Sequence, residues 1–145
     1  VTSVLLLDDP DALLAWASRR LGGLAFADDA RAIGWGMPDH IRAVAVFDHF
    51  IDSDCQFNLA SDGSARWLGR QFLAAIAHYV FVLAGKRRCT ARVSVHNIAS
   101  IRFTTHGGFR CEGVLREAGP RGEDVMLFGM VRRECRYLPA YQRKG

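Results

Sequence analysis

The chain has 145 residues, half of them apolar and 23% charged, with a formal net charge of +4. That length suits one domain, residues 1–145, which can bury a core without disulfides or a structural metal. Cys55, Cys89, Cys111 and Cys135 form no C-x-x-C pair and no cluster with histidine at metal-ligand spacing. They read as reduced thiols, and no zinc site is expected.

In chain order, Val4–Leu7 predicts a short buried strand, too short for a signal peptide or membrane span. Asp8-Asp9-Pro10-Asp11 supplies an N-cap and a first-turn proline. The helix that follows carries Leu13, Leu14, Trp16, Ala17 and Leu21 and stops at Gly22-Gly23. Ala32–Met37 and Ile41–Phe50 predict two strands about the Pro38-Asp39 turn, and Cys55–Ala60 a third that ends at Ser61-Asp62-Gly63-Ser64.

The longest helix is expected over Ala65–Ala84, with Trp67, Leu68, Phe72, Ile76, Tyr79, Val80 and Leu83 packed and Gly85 closing it. Cys89–His96 alternates as a strand, and Asn97 opens a helix over Ile98–His106 that ends at Gly107-Gly108. Phe109–Glu117 and Val125–Arg133 are the last strands. The order β-α-β-β-β-α-β-α-β-β contains a crossover, which requires at least one parallel strand pair and a mixed α/β sheet. Positive charge gathers mildly at Arg132, Arg133, Arg136, Arg143 and Lys144, expected to be solvated surface. A net positive chain favours an anionic partner, whether nucleic acid or cofactor. Without a span, a soluble cytoplasmic protein is expected.

The stretch from Asn97 to Phe109, NIASIRFTTHGGF, resembles an element of the GCN5-related N-acetyltransferase (GNAT) superfamily: an Asn opening a helix and a Gly-Phe closing it. The next strand extends the likeness. GFRCEGVLR resembles the G-F-x-x-E-G-x-x-R of the RimJ/RimL-type branch. The ending RRECRY is similar to compact, phage-type members. The resemblance is strong from Cys55 onward; before that it rests on the order of elements.

This resemblance implies an acyltransferase fold with two splayed central parallel strands, which hold acetyl-CoA or another acyl-CoA for transfer to an amine. It also implies site residues. Phe57, Asn58 and Leu59 would lie nearest the pantetheine arm and thioester, bonded through main chain as an added strand would be. The pyrophosphate would meet the start of the next helix, where orphan N–H groups and the macrodipole favour an anion. The loop there, Ser64, Ala65, Arg66, Trp67, Leu68 and Gly69, departs from the usual Q/R-x-x-G-x-G/A pattern, and only Gly69 fits. Asn97 would contact the arm as well as cap its helix, and Phe103 would line the same site. Many relatives carry a tyrosine acid where this chain has Thr104. By likeness to the RimJ/RimL-type branch, Ser100 is instead expected to stabilise or protonate the leaving thiolate.

A base for the acceptor amine is expected from His49 or Asp48, which alternation cannot separate, with Asp52 and Asp54 as loop charges. His40, His78, His96 and His106 read as packing or surface residues. The resemblance implies an amine acceptor on a protein N-terminus, lysine or small molecule, with a homodimer as an open assembly. Two alternatives remain: a GNAT-fold enzyme acting on a nucleic-acid base, and an acyl-CoA-binding module that has lost turnover.

Overall fold

The computed structural model describes residues 2–64 and 69–144. Its elements follow the expected order: β1 (Val4–Leu6), α1 (Pro10–Arg20), β2 (Arg31–Met37), β3 (His40–Asp48), β4 (Gln56–Ser61), α2 (Arg70–His78), β5 (Arg88–Ser94), α3 (Ile98–His106), β6 (Arg110–Leu115) and β7 (Val125–Val131). The strands form one mixed sheet in the order β1-β2-β3-β4-β5-β7-β6, antiparallel except between β4 and β5.

Strand β3 divides the core between the two faces. Its side chains alternate, so Ala43, Ala45 and Phe47 enter one cluster while Val44 and Val46 enter another. All five are fully buried, which explains a continuous apolar run in an antiparallel strand. Helix α1 covers the Val44/Val46 face with Leu13 and Ala17. It starts where Asp9 accepts a hydrogen bond from Ala12 N–H at 3.1 Å, with Pro10 in the first turn. Phe72 and Ala77 of α2 cover the other face, where Ile101 and Phe103 of α3 also pack.

Three expectations need correction. β1 is a sheet edge rather than a buried strand, with Val4 48% exposed. β3 ends at Asp48, not Phe50, because Asp29 diverts the chain there. Its carboxylate accepts from His49 N–H at 3.0 Å and Phe50 N–H at 2.8 Å, and His49 takes a φ of 52°. Those bonds, Phe50's first, hold the Asp29 carboxyl below its ordinary range.

The long helix also changes character. After His78 the chain makes a π-helical turn over Tyr79–Leu83, closed by Ala84 N–H donating to Tyr79 C=O at 2.8 Å. The wider turn leaves Val80 and Phe81 buried and turns Leu83 outward at 69% exposure. Trp67 and Leu68, also assigned to the packed face, lie outside the described residues.

The β2–β3 hairpin depends on one glycine. Gly36 sits at a register shift with φ 141°, and a Cβ there would meet His40 C=O at 2.5 Å and Arg42 N at 2.8 Å. Both obstacles are backbone and cannot swing away. Gly36→Ala is therefore expected to cost about 1–3 kcal/mol of stability, read as a lower urea midpoint with an unchanged m-value.

Candidate active site

Strands β4 and β5 pair at only two positions, Gln56 with Thr90 and Phe57 with Ala91. Just before this contact, Thr90 N–H donates to Cys55 C=O at 2.9 Å. Past it, the strands follow different neighbours. β4 stays on β3 out to Ser61, opposite Ala43, and β5 stays on β7 out to Ser94, opposite Val125. Asn58–Ser61 and Arg92–Ser94 therefore have no strand partner across the gap, and an open fork results. Buried main chain needs hydrogen-bond partners, so such an edge in a cleft is suited to an extended ligand carrying amides.

Phe57 is the wedge at the fork. It is buried, with its ring 5.5 Å from Phe47 and 6.0 Å from Phe109. Beyond it opens a cleft of about 360 Å3, lined on β4 by Asn58, Leu59 and Ser61 and on β5 by Arg92 and Ser94. Helix α3 closes one side with Asn97, Ser100, Phe103 and Thr104. The Asn97 side chain accepts from Ser100 N–H at 3.1 Å, capping the helix at the cleft wall. Ser100 is half-buried there.

A second, wider hollow of about 820 Å3 continues from the cleft, sharing Ser61 and Phe103 with it. Its floor includes Gly63 and Ser64, and Arg102, His106 and Arg136 also line it. The Ser61–Ser64 turn is fixed by Asp62, whose carboxylate accepts from Ser64 N–H at 2.9 Å and Ser64 O–H at 2.6 Å. Burial raises the Asp62 carboxyl, but the Ser64 bonds and the Arg42 and His40 charges outweigh it and hold the group below its ordinary range. Gly69 is the N-cap of α2 and makes no side-chain cap. Ala65, Arg66 and Trp67, expected at the phosphates, lie outside the described residues.

The structure thus gathers Phe57, Asn58, Leu59, Asn97, Ser100 and Phe103 at one cleft, with Ser64 on the adjoining hollow. It does not bring Asp48 and His49 there. β3 runs antiparallel to β4, so Asp48 faces Gln56 at the closed end of the fork, and neither side chain lines the cleft. Asp48 is 2% exposed and accepts from Ala27 N–H at 3.1 Å, while His49 Nδ1 lies 3.1 Å from its other oxygen. This pair fastens a corner. Asp54 is also at that end, receiving the Thr90 hydroxyl at 2.7 Å.

Other residues escaped the sequence reading. Arg92 is the sole charged side chain among the described residues lining the cleft. His96, expected to be packing or surface, is exposed beside Asn97 in a neighbouring hollow that shares Ser94 and Asn97 with the cleft and also holds Arg121 and Glu123. Arg102 and Arg136 give the wider hollow its positive wall. Arg102 carried no distinguishing spacing, and Arg136 arrives from a distant segment folded back onto α3, where it donates to His106 C=O.

No protein-family model matches the chain, and no curated protein matches it. Solved structures do. A mutant form of the spermidine N-acetyltransferase SpeG from Vibrio cholerae superposes with a TM-score of 0.76 at 13% identity, covering 97% of this chain and 98% of that one. A GNAT-family protein from Desulfovibrio desulfuricans described as a putative acetyltransferase gives 0.71 at 18% identity, over 90% and 99% of the two chains. Ard1 from Thermoplasma volcanium gives 0.72 at 10% identity, over 90% and 98%. The central parallel strands, paired at two positions and then forked, belong to a sheet shared with these proteins over nearly their whole length, and the chain has the GNAT acyltransferase fold.

Proposed function

We propose that this chain is an N-acetyltransferase that uses acetyl-CoA or a related acyl-CoA and an amine acceptor. The observation that carries the reading is the fork after Phe57 and Ala91, which leaves a strand edge free inside a cleft of the right size for an extended arm. The Asn58–Ser61 main chain would bond the arm's amides. The Ser61–Ser64 turn, the helix start beyond it and the Arg102/Arg136 wall would hold the phosphates. Ala65, Arg66, Trp67 and Gly69 belong to that same proposed loop.

When bound, the thioester supplies an activated acyl group; this chain's residues do the rest. Ser100 Oγ is proposed to donate a hydrogen bond to the departing sulfur, with positioning outweighing proton transfer because a hydroxyl is a weak acid. His96, two residues past the end of β5, is proposed to take the acceptor's proton directly or through one water. Asn97 would orient the arm while holding α3 at the correct height.

The cleft's charge narrows the acceptor. SpeG is named for spermidine, a polycation. Here the one charged side chain among the described cleft residues is Arg92, which would repel such a substrate. The reading therefore favours a protein N-terminus or a neutral or acidic small amine, in keeping with the RimJ/RimL-type likeness of GFRCEGVLR. A cytoplasmic, single-domain enzyme of the compact phage type is part of the same proposal; no described helix is long and apolar enough to cross a membrane.

Titration calorimetry with acetyl-CoA, followed by thiol release with a panel of amines, tests this function. Binding at micromolar concentration and turnover with peptide N-termini over spermidine are expected. No binding at millimolar acetyl-CoA would defeat it. Asn97→Ala should weaken acetyl-CoA about tenfold and also cost about 1 kcal/mol of stability through the lost cap. Unchanged affinity would remove Asn97 from the cofactor site.

A further inference from the structure

A second concavity, of about 650 Å3, lies at the other end of β5. Arg88 and Ser94 bound that strand, so its two ends are about 20 Å apart at the usual rise per residue. Six cationic side chains line the hollow: Arg87, Arg88, Arg132, Arg133, Arg143 and Lys144. Among the described residues, only Arg88 has its charge matched, by Glu112 at 2.8 Å and Asp54 at 3.4 Å. Glu134, next to Arg133 in the chain, is taken by Arg110 at 3.3 Å.

Two of the remaining five are held in place without being neutralised. Arg132 Nε donates to Gln142 C=O at 2.6 Å and its Nη1 to Phe81 C=O at 2.7 Å. Arg143 Nε donates to Leu138 C=O at 3.1 Å and its Nη2 to Arg136 C=O at 3.5 Å. Both are half-buried, and a guanidinium has five N–H donors, so each keeps three for a ligand. Arg87, Arg133 and Lys144 are exposed, with no acidic partner among the described residues. Five like charges around one depression repel one another, and an anion relieves that repulsion. Carbonyl-anchored arginines that keep free forks suit phosphate oxygens in particular.

We propose that this hollow is a binding site for a small oligophosphate, such as pyrophosphate or a nucleoside polyphosphate, separate from the phosphates of the acyl carrier. A concave site within the volume range of small-molecule pockets favours a compact ligand over a polymer backbone, which would call for a stripe along the surface. Arg133 and Lys144 are exposed, as the sequence leads one to expect, and the proposal gives them a ligand in addition. It does not depend on the enzyme reading.

The test is calorimetry with inorganic pyrophosphate at low salt, about 50 mM, on the wild type and on Arg87→Glu/Arg133→Glu, both exposed positions. Pyrophosphate is expected to bind the wild type and to lose about tenfold or more in affinity in the variant, with acetyl-CoA affinity unchanged. The proposal would be overturned by no pyrophosphate binding to the wild type, by equal binding to the variant, or by parallel loss of acetyl-CoA binding, which would make this the carrier's own site. A single-stranded oligonucleotide that binds here without being displaced by pyrophosphate would likewise replace the small ligand with a nucleic acid.

Discussion

Ser100→Ala is expected to lower kcat about a hundredfold while leaving the Kd for acetyl-CoA within about twofold. The expectation follows from how α3 meets the cleft. Asn97 caps the helix by accepting from Ser100 N–H, a main-chain bond that alanine preserves. The backbone and the cleft wall therefore stay in place, and only the Oγ is removed. A group that bonds the sulfur mainly as negative charge builds up contributes little to binding and much to the rate. Thr104 also lines the cleft but is the less accessible hydroxyl, at 6% exposure against the half-buried Ser100. Kd by calorimetry and kcat by thiol release separate the two effects. An unchanged kcat would show that another group serves the sulfur.

Phe47→Ala is the second large effect, on stability rather than chemistry, with an expected loss of about 3–5 kcal/mol. Phe47 is fully buried, stacks on Phe57 at 5.5 Å and lies 5.0 Å from Tyr79, whose hydroxyl is pushed up by burial. It thus joins the sheet to the π-helical turn directly behind the fork. A loss of that size is a large share of the 5–15 kcal/mol that holds an ordinary domain together. Urea unfolding measures it through the midpoint, and cofactor affinity should fall as well, since Phe57 would lose its backing. A loss below about 1 kcal/mol would mean that the ring is not part of the packed core.

These two residues illustrate what sequence alone could reach. The order of elements along the chain was legible because turn chemistry is local: Gly85, the Asp9-Pro10 start and the Asn97 cap each mark a boundary within a few residues. The position of Ser100 was legible for the same reason, since it sits one turn into a helix that its own N-cap defines. Asp48 and His49 were misplaced because alternation says which face a side chain takes and not which end of a strand meets which neighbour. That is set by the antiparallel pairing of β3 with β4 and by Asp29 from another loop. The π-helical turn was hidden because its apolar residues also fit an ordinary helical stripe. Arg136 and the basic hollow needed the C-terminal segment folded back onto α3 and β5, contacts between residues far apart in the chain that no local pattern encodes.

Amide hydrogen exchange with and without acetyl-CoA tests the forked cleft most directly. New protection is predicted over Asn58–Ser64 and the first turn of α3, with β1, β6 and the Arg87–Arg133 hollow unchanged. Protection confined to that distant hollow, or none at saturating acetyl-CoA, would contradict the account.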